Sequence, residues 1–299
     1  MKDIAVVGSI NLDIVIRVPR IPRLGETIHH GDLTQHAGGK GANQAVAASL
    51  AGAEVSMIGS VGMDAAASDL LASLKSHRVD TRYVTPVAST TTGTAIISVD
   101  TDGSNSIAVA EGANSAIEPG AVADALQELE PNVILCQREI PDAVIETAFR
   151  RRNDRAIHVL NVSPVEETMD ITMDNIDLLV VNEIEAAQLI GANLGAMDSA
   201  TTLAQRTRRG CVVTLGPEGL AAYVDGHKIE QPAFSVKVVD TTGAGDAFCG
   251  AFVAALLEGQ APEGALLFGQ AAGAIAATYH GAQPSMPTSS TIRALMKTV

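Results

Sequence analysis

Short, unbroken apolar runs separated by stretches of helical character constrain the fold of this chain more than any other feature. The runs cover residues 4–7, 55–59, 133–136, 158–162, 178–181 and 211–215, and the helical stretches cover 43–51, 65–77, 121–129, 142–151, 183–190 and 199–208. A strand that is apolar along its length must be covered on both faces, and helical crossovers between successive strands make those strands parallel. The expectation is a three-layer α/β/α fold with a mostly parallel central sheet, built as a single domain over residues 1–299. The last third turns helical and rich in Ala and Gly over 246–258 and 262–279, which predicts closely packed helices against that sheet.

Two segments, about 13–36 and 91–109, break the rhythm, and Asp102-Gly103 reads as a hairpin turn between alternating strands. They carry no helix to cover them. A small β-sheet subdomain over the carboxyl edge of the main sheet is expected, where open α/β folds bind ligands, and its functional reading is a lid.

With 299 residues and 46% hydrophobic content, the chain can bury a core without metal or disulfide staples. Cys136, Cys211 and Cys249 are odd in number, far apart and set in apolar stretches, so they read as buried thiols of a reducing cytoplasm. Met1-Lys2-Asp3-Ile4-Ala5-Val6-Val7-Gly8 runs directly into a strand, and no apolar run reaches the length of a membrane span. The expected location is cytoplasmic, with no membrane partner. Twenty basic against 34 acidic residues give a net charge of -14, which repels a nucleic-acid backbone, and the absence of Trp removes a base-stacking platform. No nucleic-acid partner is expected.

Chemistry concentrates at two glycine-rich turns. The later one, Asp240-Thr241-Thr242-Gly243-Ala244-Gly245-Asp246, places an acid behind a turn that opens a helix. Unpaired N–H groups and the helix dipole favour an anion there, so the segment reads as a phosphate site with a base beside it. Its plain alternative is ordinary helix-start chemistry, with a Thr cap and an acid in the first turn.

The earlier turn, Gly38-Gly39-Lys40-Gly41-Ala42-Asn43-Gln44, is neither a Walker A loop nor a dinucleotide fingerprint. Lys40 and Asn43 can donate from its helix start to a small polar ligand. Asn11 and Asp13, two apart on an extended segment, face one side, where an amide and a carboxylate can read vicinal hydroxyls.

Asn182-Glu183-Ile184-Glu185 reads as a capping box, and its alternative use is to hold hydrated Mg²⁺ near nucleotide phosphates. Thr214-Leu215-Gly216-Pro217-Glu218-Gly219 is a strand-to-strand turn whose backbone can meet a nucleotide. The seven His residues, among them His29-His30, show no metal-ligand spacing.

On its two glycine-rich signatures, in this order and separation, the chain resembles the ribokinase-like carbohydrate kinases over essentially its whole length. The resemblance implies an ATP-dependent phosphotransferase acting on an alcohol group, the 5-hydroxyl of D-ribose, with Asp246 as base. Sugar contacts are implied for Asn11, Asp13, Gly39, Lys40, Asn43 and Glu139. Nucleotide contacts are implied for Asn182, Thr214, Gly216, Gly219 and Gly245, with Glu185 serving the Mg²⁺ region. Gln270 stands where relatives carry Asn or His against the adenine. An activating monovalent cation, K⁺, is implied at Asp240, Thr242, Ala276, Tyr279, Gly281 and Ser285, and a homodimer through the lid.

In-line transfer of the γ-phosphoryl group is the expected mechanism, with the amides of Gly243, Ala244 and Gly245 holding the developing charge. The helix start is expected to lower the pKa of Asp246 and make it a weak base. The alternatives are a kinase for 2-deoxyribose, another pentose or a nucleoside, and a non-catalytic sugar-binding regulator.

Overall fold

A computed structural model describes residues 3–29, 31–150, 156–165 and 171–298. The chain begins with β1 (Asp3–Val7), crosses into β2 (Asn11–Arg17) and β3 (Asp32–Gly38), then enters α1 (Lys40–Leu50), β4 (Glu54–Gly62), α2 (Ala65–Ser76) and β5 (Val79–Val87). A hairpin of β6 (Gly93–Val99) and β7 (Asn105–Ala110) leads to α3 (Pro119–Leu129), β8 (Val133–Gln137), α4 (Asp142–Ala148) and β9 (Ile157–Asn161). There follow β10 (Leu178–Asn182), α5 (Glu183–Ile190), α6 (Ala196–Ala204), β11 (Gly210–Thr214), β12 (Leu220–Val224) and β13 (His227–Gln231). Three helices close the chain, α7 (Ala244–Leu257), α8 (Pro262–Ala276) and α9 (Ser289–Met296).

The large sheet has nine strands in the order β13-β12-β11-β10-β9-β8-β1-β4-β5, parallel except for β12 and β13. Alternation along β1 shows why its apolar run is unbroken: Ile4 and Val6 face one core with α1, α2, α7 and α8, while Ala5 and Val7 face a second core with α3 to α6. The strand order reverses at β1, with β4 to one side and β8 to the other. The crevice beyond the carboxyl ends of β1 and β8 is therefore the switch point at which open α/β sheets take ligands.

The second sheet has four strands, in the order β3-β2-β6-β7. It springs from the carboxyl ends of β1 and β5 and returns through β3 directly into α1. Both segments expected to form a small sheet do so, with Asp102-Gly103 in the turn between β6 and β7.

Small residues in the late helices serve close approach. A Cβ at Gly250 of α7 would meet the α1 backbone at Gln44 and Ala48, and one at Gly269 of α8 would meet Phe248 and Phe252. Several expected boundaries shift. Helix α8 ends at Ala276 rather than 279, because the Ala277 carbonyl turns aside to accept from Val239 and Asp240 N–H at 2.8 and 3.2 Å. Helix α6 ends at Ala204 rather than 208, where the Thr207 hydroxyl draws on the Ala204 and Gly210 carbonyls. Arg151, the expected end of α4, and His30 lie outside the described residues. Cys136, Cys211 and Cys249 are free and buried.

Candidate active site at the sheet switch point

Helix α1 starts against the turn that follows β1. Gly39 is its N-cap at φ 86°, and a Cβ on Gly39 or Gly41 would overlap backbone between Gly8 and Asn11. No side chain of its own caps α1. Glu139, just beyond β8, does so from outside: its Oε2 accepts from the Lys40 N–H at 3.0 Å and from the Ser9 hydroxyl at 2.5 Å. The Ser9 oxygen in turn accepts from Gly41 N–H at 3.2 Å.

Helix α7 approaches the same crevice end-on. Gly243 is its N-cap at φ 77°, with no side-chain cap; Thr242 turns its hydroxyl instead onto Asp240 Oδ1 at 2.6 Å. The ordinary Thr-cap reading is thereby corrected. Ala244 N–H donates to Thr241 O at 3.1 Å, so that amide is already used in a turn. Among the described residues the amides of Gly243 and Gly245 have no hydrogen-bond acceptor, and a Cβ on Gly245 would meet nothing within 4 Å. The helix mouth is open.

Asp246 sits in the first turn of α7 and is buried. Its Oδ2 accepts from Asn43 Nδ2 at 3.0 Å and its Oδ1 from Gln44 Nε2 at 2.9 Å. Burial pushes its pKa up, against the downward pull of Lys40 and the two amides. The expectation of a lowered pKa is corrected here: desolvation outweighs the helix start, and the carboxylate is a stronger base than the helix dipole alone would leave it.

Asp13 is pushed up to about 7 by burial and by the charges of Glu139 and Asp246, with Lys40 opposing. Lys40 is itself raised, since the surrounding carboxylates of Asp246, Glu139 and Glu185 overcome the effect of burial. The fold thus brings Asp13, Lys40, Asn43, Glu139 and Asp246 close together beyond the carboxyl end of β1. Asn43 Oδ1 is buried there with no partner among the described residues.

Asn11 faces the same side of β2 as Asp13. Asn114, in the short turn after β7, accepts from Ile10 N–H at 2.9 Å and donates to Asn11 Oδ1 at 2.6 Å, which leaves the Asn11 amide hydrogens for a ligand. A Cβ at Gly38 would overlap the Asp13 carboxylate and displace it from this position.

Asn182 and Thr214 are register partners at the carboxyl ends of β10 and β11. The capping box is present: Asn182 Oδ1 accepts from Glu185 N–H and Glu185 Oε2 from Asn182 N–H, both at 2.8 Å. Gly216 and Gly219 lie in the turn from β11 to β12, with open space at Gly216. Gln270 is buried and donates to Gln231 O at 3.3 Å, while its Oε1 and that of Gln231 have no partner among the described residues.

Asp240 clamps the far side of the α7 mouth. It accepts from Thr242 N–H at 2.9 Å and from Gly281 N–H at 3.0 Å; those bonds hold its pKa down despite burial. The loop of Gly281 and Ser285 packs on Gly243, whose added Cβ would meet Ala282 Cα at 2.8 Å. Ser285 donates its hydroxyl to Ala282 O at 2.7 Å.

Residues 1–289 of the 299 are matched by the family model for the pfkB family carbohydrate kinases. This chain belongs to that family. It is similar to a ribokinase of Bacillus subtilis, with 37% identity over 99% of this chain and 100% of that one. It is also similar to a deoxyribokinase of Salmonella typhi, with 33% identity over 96% of each chain. Among solved structures, Arabidopsis thaliana ribokinase complexed with ribose and ATP shares 31% identity, covers 99% of this chain and 98% of its own, and superimposes with a TM-score of 0.87. The molecule is an ATP-dependent sugar kinase of ribokinase-like fold.

Sequence reasoning assigned nothing to Ser9, Gln44, Asn114, Gln137 or Asn161 at this site. Gln44 stood in the quoted motif next to Asn43. The others lie in strands or loops whose side-chain partners are about a hundred or more residues away, as with Ile10 and Asn114.

Proposed function

We propose that this kinase transfers the γ-phosphoryl group of ATP to the 5-hydroxyl of D-ribose, giving ribose 5-phosphate and ADP. The observation that carries the reading is the buried Asp246 carboxylate, held by two amides beside an uncapped helix mouth. Asp246 accepts the hydroxyl proton while the Gly243 and Gly245 amides face the migrating phosphoryl group. Asn11, Asp13, Gly39, Lys40, Asn43 and Glu139 hold the sugar, with the orphaned Asn43 Oδ1 taking a hydroxyl hydrogen. Asn182, Thr214, Gly216, Gly219 and Gly245 line the nucleotide path, and the orphaned Gln270 oxygen suits an adenine amino group.

Two ions fit the donors present. Glu185 keeps one carboxylate oxygen beyond its capping bond, enough for a hydrated Mg²⁺ that neutralises nucleotide phosphates when bound. Asp240, the backbone at Thr242, Ala276, Tyr279 and Gly281, and Ser285 offer oxygen donors only, as K⁺ requires, and the Ser285 hydroxyl, its hydrogen given to Ala282 O, keeps its lone pairs for a cation.

The small sheet is proposed as a lid of a single kinase domain, since Asn11 and Asp13 come from it. Leu33 and Ile96 are exposed on one of its faces and Ile107 and Val109 on the other, apolar surface that a second copy of the chain would cover to form a homodimer. The buried free thiols suit a cytoplasmic location.

A coupled ADP-release assay with ribose, 2-deoxyribose and nucleosides tests the reading. Ribose is expected to exceed 2-deoxyribose by about tenfold or more in kcat/KM. The similarity to a deoxyribokinase supports the second reading, which the opposite ranking would establish.

A further inference from the structure

Behind Asp246 runs a chain of buried amides with a fixed polarity. The Val180 carbonyl of β10 can only accept, so Asn161 must direct Nδ2 to it, at 3.1 Å, and turn Oδ1 toward Gln44. That oxygen can only accept as well, which forces Gln44 to present Nε2 to it at 3.0 Å. The second hydrogen of the same nitrogen then points at Asp246 Oδ1, at 2.9 Å. Gln137 Nε2 locks the arrangement by donating to Gln44 Oε1 at 2.7 Å.

Gln44 and Gln137 are fully buried, and Gln137 and Asn161 are register partners on β8 and β9. The two amides that grip Asp246 differ in kind. Asn43 keeps a buried oxygen free, whereas Gln44 has both hydrogens and its oxygen engaged within the protein and nothing left for a ligand.

We infer that Gln44, anchored by Gln137 and Asn161, is a positioning residue that fixes Asp246 as the proton acceptor, transmitting to it the orientation of a backbone carbonyl two strands away. Amides do not ionise near neutral pH, so the chain orients the base and favours its charged form without carrying protons. The inference rests on the proposed role of Asp246. The charged groups around that carboxylate are Lys40 on α1, Glu139 beyond β8 and Asp13 on β2, with the Cys249 thiol one turn along α7; none is altered in the test.

The test uses the full-length protein with ribose and MgATP, reading kcat, KM and the pH profile of kcat for Gln44→Met, Gln137→Met and Asp246→Asn. For Gln44→Met the inference expects a loss of kcat of about 10- to 100-fold with KM for ribose changed by less than about threefold. Loss of a donor to the ionised base also moves the acid limb of the profile upward by about one pH unit. Gln137→Met leaves the Gln44 to Asp246 bond intact but frees the amide to turn, and is expected to shift both readouts in the same direction by a smaller amount. Folded Gln44→Met with wild-type kcat and an unmoved limb would overturn the inference. Should Gln44→Met fail to fold, Gln137→Met with an unchanged kcat and limb would overturn it equally. Asp246→Asn separates the two ideas: its inactivity beside an unaffected Gln44→Met rejects only the positioning role, whereas wild-type turnover in Asp246→Asn rejects the base itself.

Discussion

Two glycine-rich turns open two helices onto one crevice, and their glycines do opposite things. At α1 the glycines let backbone crowd backbone: a side chain at Gly39 or Gly41 would strike the turn after β1, and Glu139 fills the helix start from outside. At α7 the first turn has no side-chain cap, and a Cβ on Gly245 would point into free space. Similar local composition therefore yields a packed mouth that holds the Glu139 carboxylate and an open one that can receive an anion. The lesson is that a glycine motif acquires its meaning from what fills the space around it.

The largest effect should come from the base at the open mouth. Asp246→Asn keeps the shape but cannot take a proton; its oxygen can still accept from Gln44, and its new NH2 is met only if Asn43 turns its unpartnered oxygen to it. The expected result is a fall in kcat of about 10²- to 10⁴-fold while the protein still folds. Steady-state kinetics beside thermal denaturation check both halves.

The contrast between the mouths is sharpened by one pair of alanines. Gly245→Ala suits the helix and meets no neighbour, so stability stays level or gains about 0.5–1 kcal/mol, while its methyl stands in the open mouth where the phosphoryl group is to lie and kcat drops about 10²-fold. Gly41→Ala collides with Gly8 and Ser9 backbone and should cost about 1–3 kcal/mol of stability. If Gly245→Ala lost stability and kept activity, the two mouths would not differ as described.

A smaller effect is expected from Asp13. It must be ionised to accept two hydroxyl hydrogens, and its raised pKa, about 7, means that protonation competes with binding near neutrality. KM for ribose should rise as pH falls through about 7. Asp13→Asn should raise KM at high pH and flatten that dependence. The sign for stability is the reverse: a carboxyl raised on folding costs stability once pH passes its unfolded value of 3.8, so Asp13→Asn should melt higher at pH 8. The smallest effect is expected at the clamp: Asp240→Asn should weaken the proposed activation by K⁺ about tenfold, read from the K⁺ dependence of kcat.

Much of this was legible in the residue pattern. Runs such as 133–136 and 178–181 are apolar throughout because both faces of the sheet are buried, and that signal needs no partner to be read. The capping box of Asn182 and Glu185 is equally local. Strand β5 was missed because, beyond Val79, none of its residues is fully buried; β12 was implied only by the strand-to-strand turn before it, and β13 was missed because an antiparallel edge hairpin follows no βαβ rhythm. The raised pKa of Asp246 was also illegible: the local rule for helix starts lowers it, and only burial by distant elements reverses the sign. Gln44 was invisible as a positioning residue for the same reason, since Asp246 lies 202 residues away along the chain.

The central claim is that the terminal phosphoryl group of the nucleotide rests at the open mouth of α7 with the acceptor hydroxyl on Asp246. A crystal structure with ribose and a non-hydrolysable ATP analogue measures this directly. The account predicts phosphate oxygens within about 3 Å of the Gly243 and Gly245 amides and the sugar hydroxyl at a similar distance from the Asp246 carboxylate. A terminal phosphate seated at the start of α1, or a hydroxyl turned away from Asp246, would contradict it.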